Sequence, residues 1–431
     1  MNKKLLILPL TMTLLAACNG NNPTSSTDTN TDSTNSGESI PSETSSEQGS
    51  KTDEQDRVTL VNNVSNGVKK SYEASFDKGV NFTTKLELKG KVDTSTFSDG
   101  LLNSNKVDIE NITINNKASY KNVGDKGTHT GFNDIRLAEE LLLNVKNVKV
   151  DTVQEFPDYD ESGQPKETPA HNEVHVEVNE VKDALLNLYL DTSNVYIDRS
   201  NIDLSALARV NMPLFTYIVA SMNQIDPSQV TEDMVLNFVS QMDQAYPKKI
   251  LQPLGEKERP QVDLPDVTSF NTSVDGVKTQ VLTYLNLYKD YFTLLKDAND
   301  ITTLNINLDK EAIKQIVLMN SADDKGMVSP ETAKGIEETF KSFEKADVHF
   351  GVSFDKDFYL SNVNLKADVI YNQLIDEKNY QKINLSLNFN TDVDFNDPIV
   401  IFPANFDDYS PLPPMGQNVE EETGTSEVGG N

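Results

Sequence analysis

The chain has 431 residues, of which 67 are acidic and 38 basic, for a formal net charge of −29. That balance argues against nucleic acid and against adsorption onto anionic lipid head groups, since both need a Lys/Arg surface. One cysteine excludes an internal disulfide and a Cys-rich zinc or iron–sulfur site, and the lack of tryptophan weakens a carbohydrate-platform reading.

The first 18 residues have the layout of a secretory signal: Lys3 and Lys4, then an apolar run from Leu5 to Leu15 with Pro9 inside it, then small residues. The run is too short to span a bilayer as a helix, which needs about 20 apolar residues. Leu15-Ala16-Ala17-Cys18 resembles the lipobox of bacterial lipoproteins, and Cys18 is the chain's only cysteine. The resemblance implies a diacylglyceryl group on the Cys18 sulfur, cleavage after residue 17, and a lipid-anchored protein facing the outside of the cytoplasm. Two or three acyl chains anchor firmly, because each buried CH₂ contributes about 0.8 kcal/mol. An ordinary signal peptide that happens to contain a cysteine is the competing reading.

Residues 18–56 read as a disordered tether. Sixteen of its residues are Ser or Thr, eight are acidic, and Ile40 is its only large aliphatic. Such a segment buries too little apolar area to offset its ordering entropy, and as a coil it spans about 35 Å. Residues 411–431 repeat the pattern, with Pro411, Pro413, Pro414 and Glu420 to Glu422, and read as an acidic tail.

Between them, 57–410 is expected to fold. Val80, Phe82, Thr84, Leu86 and Leu88 alternate with Asn81, Thr83, Lys85, Glu87 and Lys89, the period-2 mark of a half-buried strand. Leu186, Leu188 and Leu190, the turn Asp191 to Asn194, then Val195 and Ile197 predict a hairpin. Residues 348–354 alternate and turn through Asp355-Lys356-Asp357 into Leu360, Val363 and Leu365. Ile383 to Phe389 form another strand, and Pro398 to Phe402 a short terminal one. One-sided alternation predicts an antiparallel sheet with one wet face. Helices are expected over 213–222, 228–245, 309–319 and 330–345, the last with Pro330 in its first turn after a capping Ser329. A longer helix is expected over 275–297, where Val277, Val281, Tyr284, Leu285, Tyr288, Phe292 and Leu295 fall at 3- and 4-residue steps. Strands and helices in separate runs predict the α+β class.

This order of elements, with the Leu188-Tyr189-Leu190…Val195-Tyr196-Ile197 hairpin and the closing Ile399-Val400-Ile401-Phe402-Pro403 and Phe406…Tyr409, resembles the half-barrel lipoproteins of the LolA and LppX/LprG type. The resemblance implies a curved antiparallel sheet covered on one face by amphipathic helices, with a lipid held between the layers in some members. The segment 247–270 has no counterpart in it. Separately, Ser75-Phe76-Asp77-Lys78 with Leu86 to Lys89 is similar to Ser353-Phe354-Asp355-Lys356 with Val363 to Lys366, as a duplication or as two convergent hairpins.

Candidate chemistry is sparse. Asp158, Asp160, Ser162 and Gly163 match the first half of a calcium loop, but position 12 falls on Pro169, and a solvated acidic hairpin loop is the competing reading. Among His129, His171, His175 and His349, only His171 and His175 are close in sequence; Val174, Val176 and Val178 make that segment a strand, which His171 is expected to precede. No nucleophile elbow, phosphate loop or dinucleotide fingerprint is present. The sequence therefore offers no sign of an enzyme, a metal or a cofactor. Tyr284, Tyr288, Tyr291 and Phe292 are the ligand candidates, lining a cavity or filling a core. Two functions stay open: a lipoprotein binding or carrying an apolar ligand between sheet and helices, and a cell-envelope interaction lipoprotein with a filled core. The protein partner is not legible.

Overall fold

The computed structural model of the protein describes residues 54–412, save 129, 132–133, 160–161, 163, 165, 167, 192, 255–262, 288 and 322–327. Cys18, the rest of the tether and the tail beyond 412 lie outside the described residues, so none of the expectations placed there meets a structure.

The chain opens with α1 (Glu54–Asp77), a helix that takes in the last three residues assigned by composition to the tether. Four long strands follow: β1 (Val80–Ser98), β2 (Leu101–Asn122), β4 (Ile135–Phe156) and β5 (Ala170–Leu190), with the two-residue β3 (Thr130–Gly131) between β2 and β4. Asp99 and Gly100 join β1 to β2 with φ of 54° and 81°, the left-handed pair that a two-residue hairpin needs. Next come β6 (Asn194–Asp198), a trio of helices α2 (Leu204–Val210), α3 (Met212–Asn223) and α4 (Glu232–Ala245), and β7 (Lys249–Pro253). The second half runs β8 (Asp263–Leu264), α5 (Val267–Leu287), β9 (Phe292–Lys296), β10 (Thr302–Leu308), α6 (Lys310–Asn320), α7 (Pro330–Lys341), β11 (Phe343–Phe354), β12 (Leu360–Leu374), β13 (Tyr380–Asp394) and β14 (Ser410–Pro411).

Twelve strands form one open sheet in the order β14-β7-β6-β5-β4-β2-β1-β13-β12-β11-β10-β9. Every neighbouring pair is antiparallel except β14 with β7. With seven α-helices among the described residues, the class is α+β. The segment 247–270 supplies β7, which extends the sheet, and β8, which pairs with β3 in a second, two-stranded sheet. The expected hairpin is present, with Leu190 opposite Val195 and Leu188 opposite Ile197. Asp191 closes it by accepting from the Ser193 and Asn194 amides, both at 2.8 Å.

Helix starts follow local chemistry. Asp203, Thr231, Asp309 and Ser329 each accept from the amide three residues on, pairing a donor that a helix start leaves open. Helix α1 packs along α5: Tyr72 stacks on Phe270 at 3.9 Å, and Phe76 meets Tyr72 edge-on at 5.5 Å. The Tyr72 hydroxyl donates to the Pro265 carbonyl at 2.5 Å, and burial pushes its pKa up to about 12. The trio α2–α4 has a core of its own in Ala208, Val219, Val235 and Val239.

Three expectations are corrected. The helix expected over 275–297 ends at Leu287; after a single turn at Lys289–Tyr291 the chain becomes strand β9. Phe292 and Leu294 pair with Ile306 and Leu304 of β10, which satisfies backbone groups that the last turn of a helix would leave open. The helix expected to reach 345 stops at Lys341, because the alternation of β11 already begins at Phe343. Pro398 to Phe402 is not a strand: the Ile399 amide donates to Asn81 Oδ1 at 3.2 Å and the Val400 amide to Ser119 Oγ at 3.0 Å. Side chains of the sheet thus take the backbone bonds that a neighbouring strand would have made. The similar stretches 75–78 and 353–356 adopt unlike conformations, the end of a helix and the end of a strand.

Candidate functional site

The register of the sheet gathers its apolar residues into rows. Phe292, Ile306, Phe350, Leu365, Phe389, Leu86, Ile114 and Leu143 are successive cross-strand partners from β9 to β4. A second row on the same face runs Leu308, Val348, Ala367, Leu387, Leu88, Ile112, Val145 and Val181. A third runs Tyr371, Ile383, Val92, Val107, Val150 and Val176. Bulges at Leu88/Gly90 and Leu143/Val145 keep the rows on one face, since each extra residue reverses the alternation locally.

These rows are not sealed. Every one of their residues on β13, β1, β2, β4 and β5 is only half-buried. The fully buried side chains gather instead where β1 and β4 begin and β2, β5, β11 and β13 end: Val80, Ile135, Ala118, Leu190, Phe354 and Val393, with Leu190 and Phe354 only 2 % exposed. The face thus has a closed end and an open stretch. At one edge it meets helices: Leu60 and Val61 of α1 and Leu285 of α5 form a cluster with Phe292, Leu294 and Leu304.

The opposite face is polar and internally paired. One cross-strand row reads Lys382, Asp93, Lys106, Asp151, His175. Lys91 bridges to Asp108 at 2.7 Å and Lys149 to Glu177 at 2.8 Å. A depression of about 600 Å³ on this face is lined by Lys91, Asp108, Lys149 and Glu177 among others, but their charges are matched within it and exposed pairs contribute little. The C-terminal segment crosses the same face. Phe406 stacks on Tyr196 at 3.6 Å and touches Tyr189, Phe402 and Tyr409, while Lys249 pairs with Asp408 at 2.5 Å.

At the closed end the apolar face carries one polar strip. Thr391, Thr84 and Asn116 are successive partners across β13, β1 and β2. Glu139 lies in the adjoining row, between Ala118 and Leu188. Thr84 and Thr391 share a hydroxyl hydrogen bond of 2.9 Å. The Asn116 side chain bonds to the Glu139 carboxyl, but burial outweighs that bond and raises the Glu139 pKa above the usual carboxylate range.

Of the residues singled out from sequence, Phe292 sits on the apolar face in edge strand β9, and Tyr291 precedes it in the short turn. Tyr284 belongs to α5, whereas Tyr288 lies outside the described residues. The acidic loop does join two strands, β4 and β5. In it Lys166 holds the Asp158 carboxyl below its ordinary range at 2.8 Å, and Asp160 and Gly163 lie outside the described residues. His171 is inside β5, on the polar face with His175, which pairs with Asp151. The sequence reading missed the polar strip, although Asn116 and Glu139 interrupt otherwise apolar alternations. It also missed α1, although Val61, Val64, Val68, Tyr72 and Phe76 stand at helical steps. Comparison with protein-family models, curated proteins and solved structures finds no match for the chain. No helix among the described residues is long and apolar enough to cross a membrane.

Proposed function

We propose that the protein is a lipoprotein anchored through Cys18 to the outer side of a bacterial cell membrane, and that it binds or carries a lipid or other apolar ligand. The ligand lies on the apolar face of the sheet, which curves as a half-barrel beneath its amphipathic helices. One observation carries this reading: three rows of aliphatic and aromatic side chains continue across the central strands without being sealed. A filled core would bury them fully, and leaving them wet forgoes about 25 cal/mol for each Å². A half-buried apolar face of this continuity suits an apolar ligand that would complete its burial. The negative charge and the Ser/Thr-rich tether suit a domain held away from anionic head groups.

Two measurements on the full-length protein test the proposal. Wild type should partition into the detergent phase and Cys18→Ser into the aqueous phase; equal partition would refute the anchor. Delipidated protein should bind the apolar dye N-phenyl-1-naphthylamine saturably, and charged substitutions at Leu387 and Ile112 should abolish that binding. Dye binding that ignores these substitutions would refute the apolar face as the site.

A further inference from the structure

We infer that the outward edge of β5, from Ala170 to Val178, pairs antiparallel with the same edge of a second copy of this chain, about a two-fold axis at Val174. The surface is separate from the proposed ligand face, and the inference stands whether or not that face holds a ligand.

Strand β5 is long, but its cover on one side is short. Strand β4 pairs with it without a break from Ala170 to Val178, whereas β6 covers only Asn187 to Leu190. At Glu180 the Asn211 side chain takes the place of a strand. Its Nδ2 donates to the Glu180 carbonyl at 2.7 Å, and its Oδ1 accepts from the Glu180 amide at 3.1 Å. Glu180 therefore turns its backbone groups away from β4. Alternation in constant register turns those of Val178, Val176, Val174 and Asn172 the same way. No strand among the described residues pairs with them. The end strands of the sheet are short, with five residues in β9 and two in β14. Such shortness protects an edge, whereas 170–178 has no Pro, no Lys and no bulge to guard it.

The side chains select a second copy as the occupant and fix its register. His171, Glu173, His175 and Glu177 stand on the polar face, and Asn172, Val174, Val176 and Val178 on the apolar one. With the axis at Val174, Glu173 of each copy lies opposite His175 of the other, and His171 opposite Glu177. Each carboxylate, which only accepts, then meets an imidazole, which donates. His175 keeps its own Asp151 through Nδ1, and as imidazolium it has a second N–H to offer. Sliding the second copy by two residues sets Glu173 against Glu173 in one direction and against Glu177 in the other, and like charges directly opposite are destabilising. A slide of one residue would set the polar face of one strand against the apolar face of the other. In the chosen register Val174 meets Val174, and Val178 meets Ala170 beside Phe156, which is 44 % exposed in the single chain. The ladder runs about 27 Å. It starts where β5 starts and stops short of Glu180, whose backbone Asn211 already holds.

The test uses the full-length Cys18→Ser chain, which lacks the one native thiol, in sedimentation equilibrium at about 0.15 M salt. A ladder this small belongs at the weak end of specific interfaces, so a dimer with a dissociation constant of about 1–50 μM is expected. Val174→Pro removes an outward N–H and no bond to β4. It should leave a monomer with an unchanged melting temperature. Glu173→Lys should raise the dissociation constant about tenfold. The register is read by cysteine. In the same background Val174→Cys should cross-link two chains under copper-phenanthroline oxidation, because the paired Cα atoms stand about 5.5 Å apart. Val176→Cys should not, because the two copies of residue 176 lie about 13 Å apart along the ladder. These variants keep the test decisive if Pro disturbs the fold. A monomeric parent chain at about 300 μM, a dimer that survives Val174→Pro, or cross-linking at 176 without cross-linking at 174 would overturn the inference.

Discussion

Phe354 and Phe389 lie on the same face of the same sheet and should respond differently to truncation. Phe354 is at the closed end and 2 % exposed; Phe389 is half-buried in the open rows, between Leu365 and Leu86. Replacing Phe354 by Ala removes a buried ring and leaves a cavity, at a cost of about 3–5 kcal/mol. Replacing Phe389 forfeits only the part of the transfer energy that its half-burial realises and opens no closed cavity, so about 1–2 kcal/mol is expected. For a domain of this size each kcal/mol moves the melting temperature by about 1–2 °C. Scanning calorimetry on delipidated protein should therefore separate the two variants clearly. Saturation with monoolein should then widen the loss at Phe389 and leave that at Phe354 unchanged, because only Phe389 would touch the ligand. Equal losses in the delipidated protein would show that the open rows are a filled core.

Gly67 of α1 crosses the β11–β12 turn so closely that a Cβ there would sit 1.8 Å from the Phe358 carbonyl oxygen. Gly67→Ala should therefore lower the urea midpoint, although Ala in an unobstructed helix would gain about 1 kcal/mol; a raised midpoint would refute the contact. Phe406→Ala should cost about 2–3 kcal/mol and expose residues 395–412 to limited proteolysis, whereas unchanged cleavage would mean that the aromatic cluster does not fasten this segment. For Glu139 the folded pKa is raised, so the folded chain holds its proton to higher pH than the unfolded chain. Stability should then fall as pH rises from the usual carboxylate value, about 4.3, through the raised folded pKa. Glu139→Gln should remove that slope, and parallel midpoint-versus-pH curves for the two proteins would contradict the burial.

Strong alternation was enough to read most of the sheet. Val80 to Leu88, the 186–197 hairpin and Ile383 to Phe389 are strands because one side of each is polar at every second residue. Where two periods compete, sequence misleads: Val281, Leu285, Tyr288, Phe292 and Leu295 suit a helix, while Phe292 and Leu294 equally suit a strand, and pairing with β10 decides between them. The segment at 398–402 looked like a strand because it is apolar, but its amides are taken by Asn81 and Ser119, more than 280 positions earlier in the chain. The polar strip was illegible for the same reason. Thr84, Asn116, Glu139 and Thr391 come from four separate strands, and only the register brings them together. Nothing in the local pattern of any one strand marks them as neighbours.

Native mass spectrometry of the full-length protein, released gently from the membranes that produced it, tests the central claim most directly. A population heavier than the lipid-modified chain by the mass of a lipid or other apolar ligand is expected, one that organic extraction removes and added monoolein restores. A single species at the mass of the lipid-modified chain, unchanged by extraction and by added lipid, would contradict it.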